Sequence, residues 1–107
     1  MKAGLILIVS FLLVGCGNLV KNGSMVEAQK ALNSREYAEA LENIDIAESF
    51  GELSSDEAAK LHYLRAQALE GLGRLGEAKA SYRYVAERHG NSAYAEQALQ
   101  KLHDLRE

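Results

Sequence analysis

The sequence predicts an all-α fold built from antiparallel helical hairpins, and three observations carry that expectation. Apolar residues recur at helical steps, Leu61, Leu64, Ala68 and Leu72 on one stripe and Leu75, Ala78, Tyr82, Val85 and Ala86 on the next. Gly71-Leu72-Gly73 separates the stripes, and glycine takes the left-handed backbone that ends one helix and reverses the chain. The hairpin so formed, residues 61–89, is also a copy of something earlier. Ala28-Gln29, Glu39-Ala40, Ile44 and Ala47 recur 38 positions later as Ala66-Gln67, Glu77-Ala78, Tyr82 and Val85. One hairpin buries too little surface to stand alone, so an internal period of this size predicts stacked hairpins sharing a core.

The chain opens with Met1-Lys2 and an apolar run, residues 3–14, of about twelve residues, too short to span a bilayer as a helix. A positive start and a short apolar run have the form of a signal peptide. The run ends in Leu13-Val14-Gly15-Cys16, which resembles the bacterial lipobox, and Cys16 is the only cysteine in the chain. The resemblance implies acylation of the Cys16 thiol, cleavage just before it and stable anchoring by two or more acyl chains. Gly17 rather than Asp follows the cysteine, which within that class of signals implies the periplasmic face of the outer membrane.

Residues 1–15 are therefore expected to be a signal peptide, 16–23 an acylated cysteine with a polar tether, and 24–106 a helical domain. The tether has two glycines and no periodicity. Ser24 with Glu27 reads as a capping box for a short helix to about residue 33. A second helix is expected from Asn33 or Ser34 to about Phe50, ended by Gly51. Ser54 with Glu57 is another capping box, opening a long helix through Leu72. The fourth helix closes at Gly90. Asn91 or Ser92 caps a fifth, whose Ala95, Ala98, Leu99, Leu102 and Leu105 form one apolar stripe opposite Gln97, Gln100 and Asp104. One apolar and one polar side suit a terminal capping helix.

The repeat positions resemble the tetratricopeptide family. Ala28, Tyr37, Ala40, Ile44 and Ala47, and again Ala66, Leu75, Ala78, Tyr82 and Val85, follow its order of small and large residues. That family repeats every 34 residues or so, which places four extra residues between the copies, near 49–56. There is no Trp, Val85 stands where Ala is commoner, and Gly90 stands where Pro is usual. The resemblance implies about two and a half repeats in a short right-handed solenoid, repeat 1 near 24–50, repeat 2 near 55–89 and a capping helix near 92–106. The string from His89 to Ala98 is also similar, at family level, to the repeat junctions of the lipoproteins of the outer-membrane β-barrel assembly machinery.

No catalytic or metal constellation is visible. His62, His89 and His103 have no second His or Cys at the i, i+4 spacing of a zinc face, and no glycine loop is shaped for phosphate. Neither enzyme activity nor a cofactor is expected. A net charge of −3 gives no basic face for nucleic acid. Charge is uneven, however. Residues 27–57 hold nine acids against Lys30 and Arg35, while residues 58–107 hold six acids against eight bases. Glu36, Glu39, Glu42 and Asp45 line the polar side of the second helix.

In a stacked array the first helix of each hairpin faces a concave groove. Outside the packing stripes this selects Tyr63, Gln67 and Glu70, with Met25, Gln29 and Leu32 at the matching sites of the first copy. The set has one charge and lacks the Lys and Asn with which some tetratricopeptide repeats clamp a terminal carboxylate. It predicts apolar and amide contacts to a partner helix or extended segment, with weak salt dependence. Ile46 and Tyr84 occupy matched outward positions, which fits either a second contact surface on the convex side or scattered surface hydrophobes. The functional expectation is a lipid-anchored periplasmic interaction module serving an envelope assembly, secretion or pilus complex. The alternative is a structural envelope lipoprotein that self-associates without a dedicated peptide ligand.

Overall fold

The computed structural model describes the backbone of residues 2–106 and the side chains of residues 17–106. It is all-helical. Five helices, α1 (Lys2–Asn33), α2 (Tyr37–Ser49), α3 (Ser55–Gly71), α4 (Leu75–Arg88) and α5 (Ala95–Asp104), follow one another with no strand among the described residues. Each helix packs on the next, and α3 also packs on α1. The apolar run and Cys16 lie where only helical backbone is described, so the signal-peptide and lipidation expectations fall outside the described side chains.

The two hairpin turns are one structure used twice, 38 residues apart. Ser34, Arg35 and Glu36 donate their backbone N–H groups to the carbonyls of Lys30, Leu32 and Ala31, and Leu72, Gly73 and Arg74 do the same to Ala68, Glu70 and Leu69. This pattern satisfies the last carbonyls of the first helix while a left-handed residue turns the chain. That residue is Gly73 at φ 77° in the second turn and Arg35 at φ 60° in the first. Three linking residues between packed helices leave them antiparallel. Gly71 serves a different purpose from the one its position suggested. It ends α3 in helical backbone, and a Cβ there would collide with the Tyr37 ring from the neighbouring hairpin.

The core is rich in alanine. Ala28, Ala40, Ala47, Ala59, Ala66, Ala68, Ala78 and Ala98 are all fully buried, with Ile44, Leu61, Tyr82 and Val85 as the largest fully buried side chains. Small residues let the helix axes approach closely, and the few large ones fill what remains, each contributing about 1.5–3 kcal/mol. Two stripe residues do not join this core. Leu72 and Leu75 flank the second turn and are exposed, because the chain is already reversing there. Leu99 of the α5 stripe is likewise exposed, at 58%.

The expected tether is helix instead. Residues 17–23 continue α1, and Gly17, Lys21, Ser24, Ala28 and Ala31 recur at steps of four and three. The partners of Gly17 and Lys21 are backbone or polar, which is why apolar periodicity did not reveal this part of the helix. Gly17 packs against the backbone of Gly51, whose own left-handed φ of 75° brings the α2–α3 turn onto Asn18. Lys21 is buried, donates to the Glu52 carbonyl at 2.8 Å and pairs with Glu57 Oε2 at 3.0 Å. Ser24 is therefore an interior helix residue, not a cap.

The second capping box is present as expected. Glu57 N–H donates to Ser54 Oγ, and Ser54 N–H donates to Glu57 Oε1. These hydrogen bonds and Lys21 hold the Glu57 carboxyl below its ordinary range, the Ser54 backbone contributing most. Other ends shift inward. Helix α2 starts at Tyr37, three residues being consumed by the turn, and α4 ends at Arg88 with His89 as its cap. Helix α5 begins only at Ala95, because residues 90–94 form turns in which Ser92 Oγ donates to the His89 carbonyl.

Two stability outcomes follow from these turns and crossings. Arg35→Gly removes a side chain from a left-handed position and should raise stability by about 0.5–1 kcal/mol in urea denaturation. Ala40→Leu or Ala78→Leu overpacks a closed crossing and should lower it by about 1–3 kcal/mol. An unchanged midpoint in both leucine variants would contradict close approach at these sites.

Candidate protein-binding groove

Of the residues expected to face a groove, Gln29, Leu32, Gln67 and Glu70 line one depression, and Met25 and Tyr63 do not. Gln29, Leu32 and Asn33 of α1, Tyr37 of α2, Gln67 and Glu70 of α3, and Lys101 of α5 line one open depression of about 230 Å³. Gln29 and Gln67 are repeat equivalents, so two adjacent hairpins present the same amide to the same surface. Gln29 Nε2 donates to Asn33 Oδ1 at 3.1 Å, which holds its amide along α1.

Glu70 is the anchor of the site. Its Oε1 accepts from the hydroxyl of fully buried Tyr82 at 3.2 Å, and its Oε2 meets Lys101 Nζ at 3.5 Å. Burial, then the negative charge of Glu70, hold the Tyr82 phenol well above its ordinary value, so it stays a donor. A carboxylate positioned from beneath by a buried donor keeps its rotamer and presents a fixed acceptor edge.

Tyr63 is not in the groove. It is 7% exposed and joins Ala66, Leu69, Ala78, Tyr82, Val85 and Ala98 in one core cluster. Its ring meets those of Tyr82 and Tyr94 at centroid distances of 5.6 and 5.5 Å. The reason is α5, which follows α4 and brings Tyr94 and Ala98 over the site where Tyr63 would otherwise have faced solvent. Met25 is half-buried against the Ala28, Ile44 and Leu61 cluster and does not line the depression. Helix α5 adds what the sequence hid. Lys101, 31 residues from Glu70, and Asn33, at the end of α1, add the lysine and asparagine that the first-helix set lacked.

On the other side, Ile46 and Tyr84 are exposed at 40% and 42%, as their outward placement implied. They differ in company. Tyr84 lies against His62 at a centroid distance of 4.3 Å and His89 at 5.6 Å, and Ser55 Oγ lies 3.2 Å from His89 Nδ1. His62 and His89, 27 positions apart, thus come together through the α3–α4 packing, stacked at 6.5 Å. Among the described residues no group of three or more His, Cys, Asp or Glu is placed to hold a metal ion. Beside this cluster Arg65 of α3 spans to Glu48 at 2.7 Å and Asp45 at 3.1 Å on α2, tying the two hairpins.

Comparison with protein-family models, with curated proteins and with solved structures returned no match to this chain. Among the described residues no helix is long and apolar enough to cross a membrane.

His62 gives a pH test of the packing. Burial lowers its pKa, Arg65 and His89 lower it further, and Glu48 opposes them. The unfolded chain then binds a proton at higher pH than the folded chain does, so this contribution to stability declines as pH falls through about 6.5. Urea midpoints between pH 7.5 and 5 should fall less steeply in His62→Gln than in the wild type. Parallel pH profiles would assign the lost stability elsewhere.

Proposed function

We propose that this protein is a lipid-anchored periplasmic interaction module, in which tetratricopeptide-like hairpins in a short right-handed solenoid hold a segment of an envelope protein in the Gln29–Gln67–Glu70 groove. The carrying observation is that repeat-equivalent amides Gln29 and Gln67 converge with Glu70 and Lys101 on one open depression. A groove with amides, a fixed carboxylate and a lysine offers paired donors and acceptors to an extended backbone or to the polar edge of an amphipathic helix. Leu32 and Tyr37 add apolar contact at one side. Because Glu70 and Lys101 are charged, binding depends more on salt than the first-helix residues alone implied.

The lipobox-like Leu13-Val14-Gly15-Cys16 supports anchoring at Cys16, and the periplasmic face of the outer membrane remains the favoured destination. Helix α1 starts before the expected anchor and continues through it. In the mature form the acylated residue would stand at the beginning of a packed helix, with exposed Leu19 and Val20 close behind. The hairpins would then be held at a set height and angle above the membrane instead of swinging on a linker.

The test is capture from detergent-solubilised envelopes with the full chain. Gln29→Ala with Gln67→Ala should cut recovery of a stoichiometric partner about tenfold or more, while helical circular dichroism and fatty-acid labelling stay unchanged. Cys16→Ser should lose the label. Undiminished recovery by the double variant would remove the groove as the working surface, and label retained by Cys16→Ser would remove the anchor.

A further inference from the structure

The two outer ends of the helix stack carry opposite charge. Between α4 and α5 lies an open groove of about 470 Å³ lined by Lys79, Arg83, Leu99, Leu102, His103 and Arg106. Among the described residues Lys79, Arg83 and Arg106 take part in no ion pair. Leu99 is the most exposed large apolar residue of α5. Three free cations around an apolar floor form a receptor for an acidic helix with an apolar residue among its carboxylates.

The hairpin register shows why this groove is bare. Arg83 stands 38 residues after Asp45, which reaches across to Arg65 on the following helix. At the end of the stack the corresponding pairing is missing, because α5 carries Leu99, Leu102 and His103 towards Arg83 and no acid.

The opposite end carries the complement. Arg65 takes Asp45 and Glu48, so that flank of α2 faces α3. Glu39, Glu42 and Ile46 recur at steps of three and four on the other flank. All three are exposed, and Glu27 of α1 adds its charge beside Glu39. A hydrogen bond shared with Glu36, and then the charges of Glu36, Glu27 and Glu42, hold the Glu39 carboxyl above its ordinary range.

We propose that copies of this chain associate head to tail, the Glu39, Glu42 and Ile46 stripe of one copy seating in the Lys79, Arg83 and Leu99 groove of the next. Carboxylates meet guanidinium and ammonium groups, and Ile46 covers the exposed leucine. The two surfaces differ, so the contact is heterologous. Such a contact builds an open row or a ring of several copies, according to the rotation between neighbours, instead of a two-fold dimer. The proposal is independent of the concave groove, whose residues it leaves untouched.

Sedimentation velocity of the full chain in density-matched detergent tests it. The wild type should show species of two or more chains at low ionic strength and fall towards single chains as salt is raised. K79E/R83E alone and E39K/E42K alone should sediment as single chains with unchanged helical circular dichroism. Their equimolar mixture should recover the associated species, since the acidic groove of one variant then faces the basic stripe of the other. A wild type that remains single at low ionic strength, association kept by both variants, or a mixture that stays dissociated would each overturn the proposal. If K79E/R83E loses its helical spectrum, R106E reads the same loss of association.

Discussion

The close approach of helices at alanine is the constraint on which this structure depends. Ala28, Ala40, Ala66 and Ala78 sit without exposed surface at crossings between neighbouring helices. A methyl group there sets the axis separation, and the larger Ile44, Tyr82, Leu61 and Val85 are sized for the spaces that remain. Such a core carries little apolar area per residue, so the polar devices around it matter more. The left-handed turns, the Ser54–Glu57 box and the Arg65 bridge to Asp45 and Glu48 each remove a conformational alternative that hydrophobic burial alone would leave open.

Tight crossings also decide where surface is left over. Hairpins that stack closely bring Gln29 and Gln67 side by side on one face, and they leave a ledge that α5 overlies. The last helix does two jobs there. It closes the Tyr63 and Tyr82 cluster with Ala98, and it delivers Lys101 to Glu70. The side chain that seals the core and the one that charges the groove sit three residues apart on α5, so a change in the seating of this helix alters packing and groove together.

Polar residues at inward positions account for most of what periodicity missed. Lys21 lies on the buried face of α1, where its stem packs and its ammonium finds Glu57 and the Glu52 carbonyl. An apolar-period test scores such a residue as surface, and the two nearby glycines strengthen the error. Gly17 instead lies against the backbone of Gly51. His62, read alone as one of three scattered histidines, becomes a neighbour of His89 only because α3 and α4 pack with both facing Tyr84.

The sequence by itself determined the last four helices to within a few residues, the pairing by short turns, the 38-residue register and the small-residue crossings. All of these are local: steps of three and four place residues on a stripe, and Ser54, Glu57 and Gly73 act within one turn of their own position. It also placed Gln29, Leu32, Gln67 and Glu70 on one shared surface, since that follows from the register alone. Tertiary structure decided the rest. Tyr63 went into the core and Lys101 into the groove because α5 packs at a place and angle that no local pattern encodes. Arg83 and Leu99 stayed bare because nothing among the described residues packs over them. Contacts between residues some 30 positions apart depend on the summed geometry of three helices and two turns, and a periodicity confined to one helix carries no record of that sum.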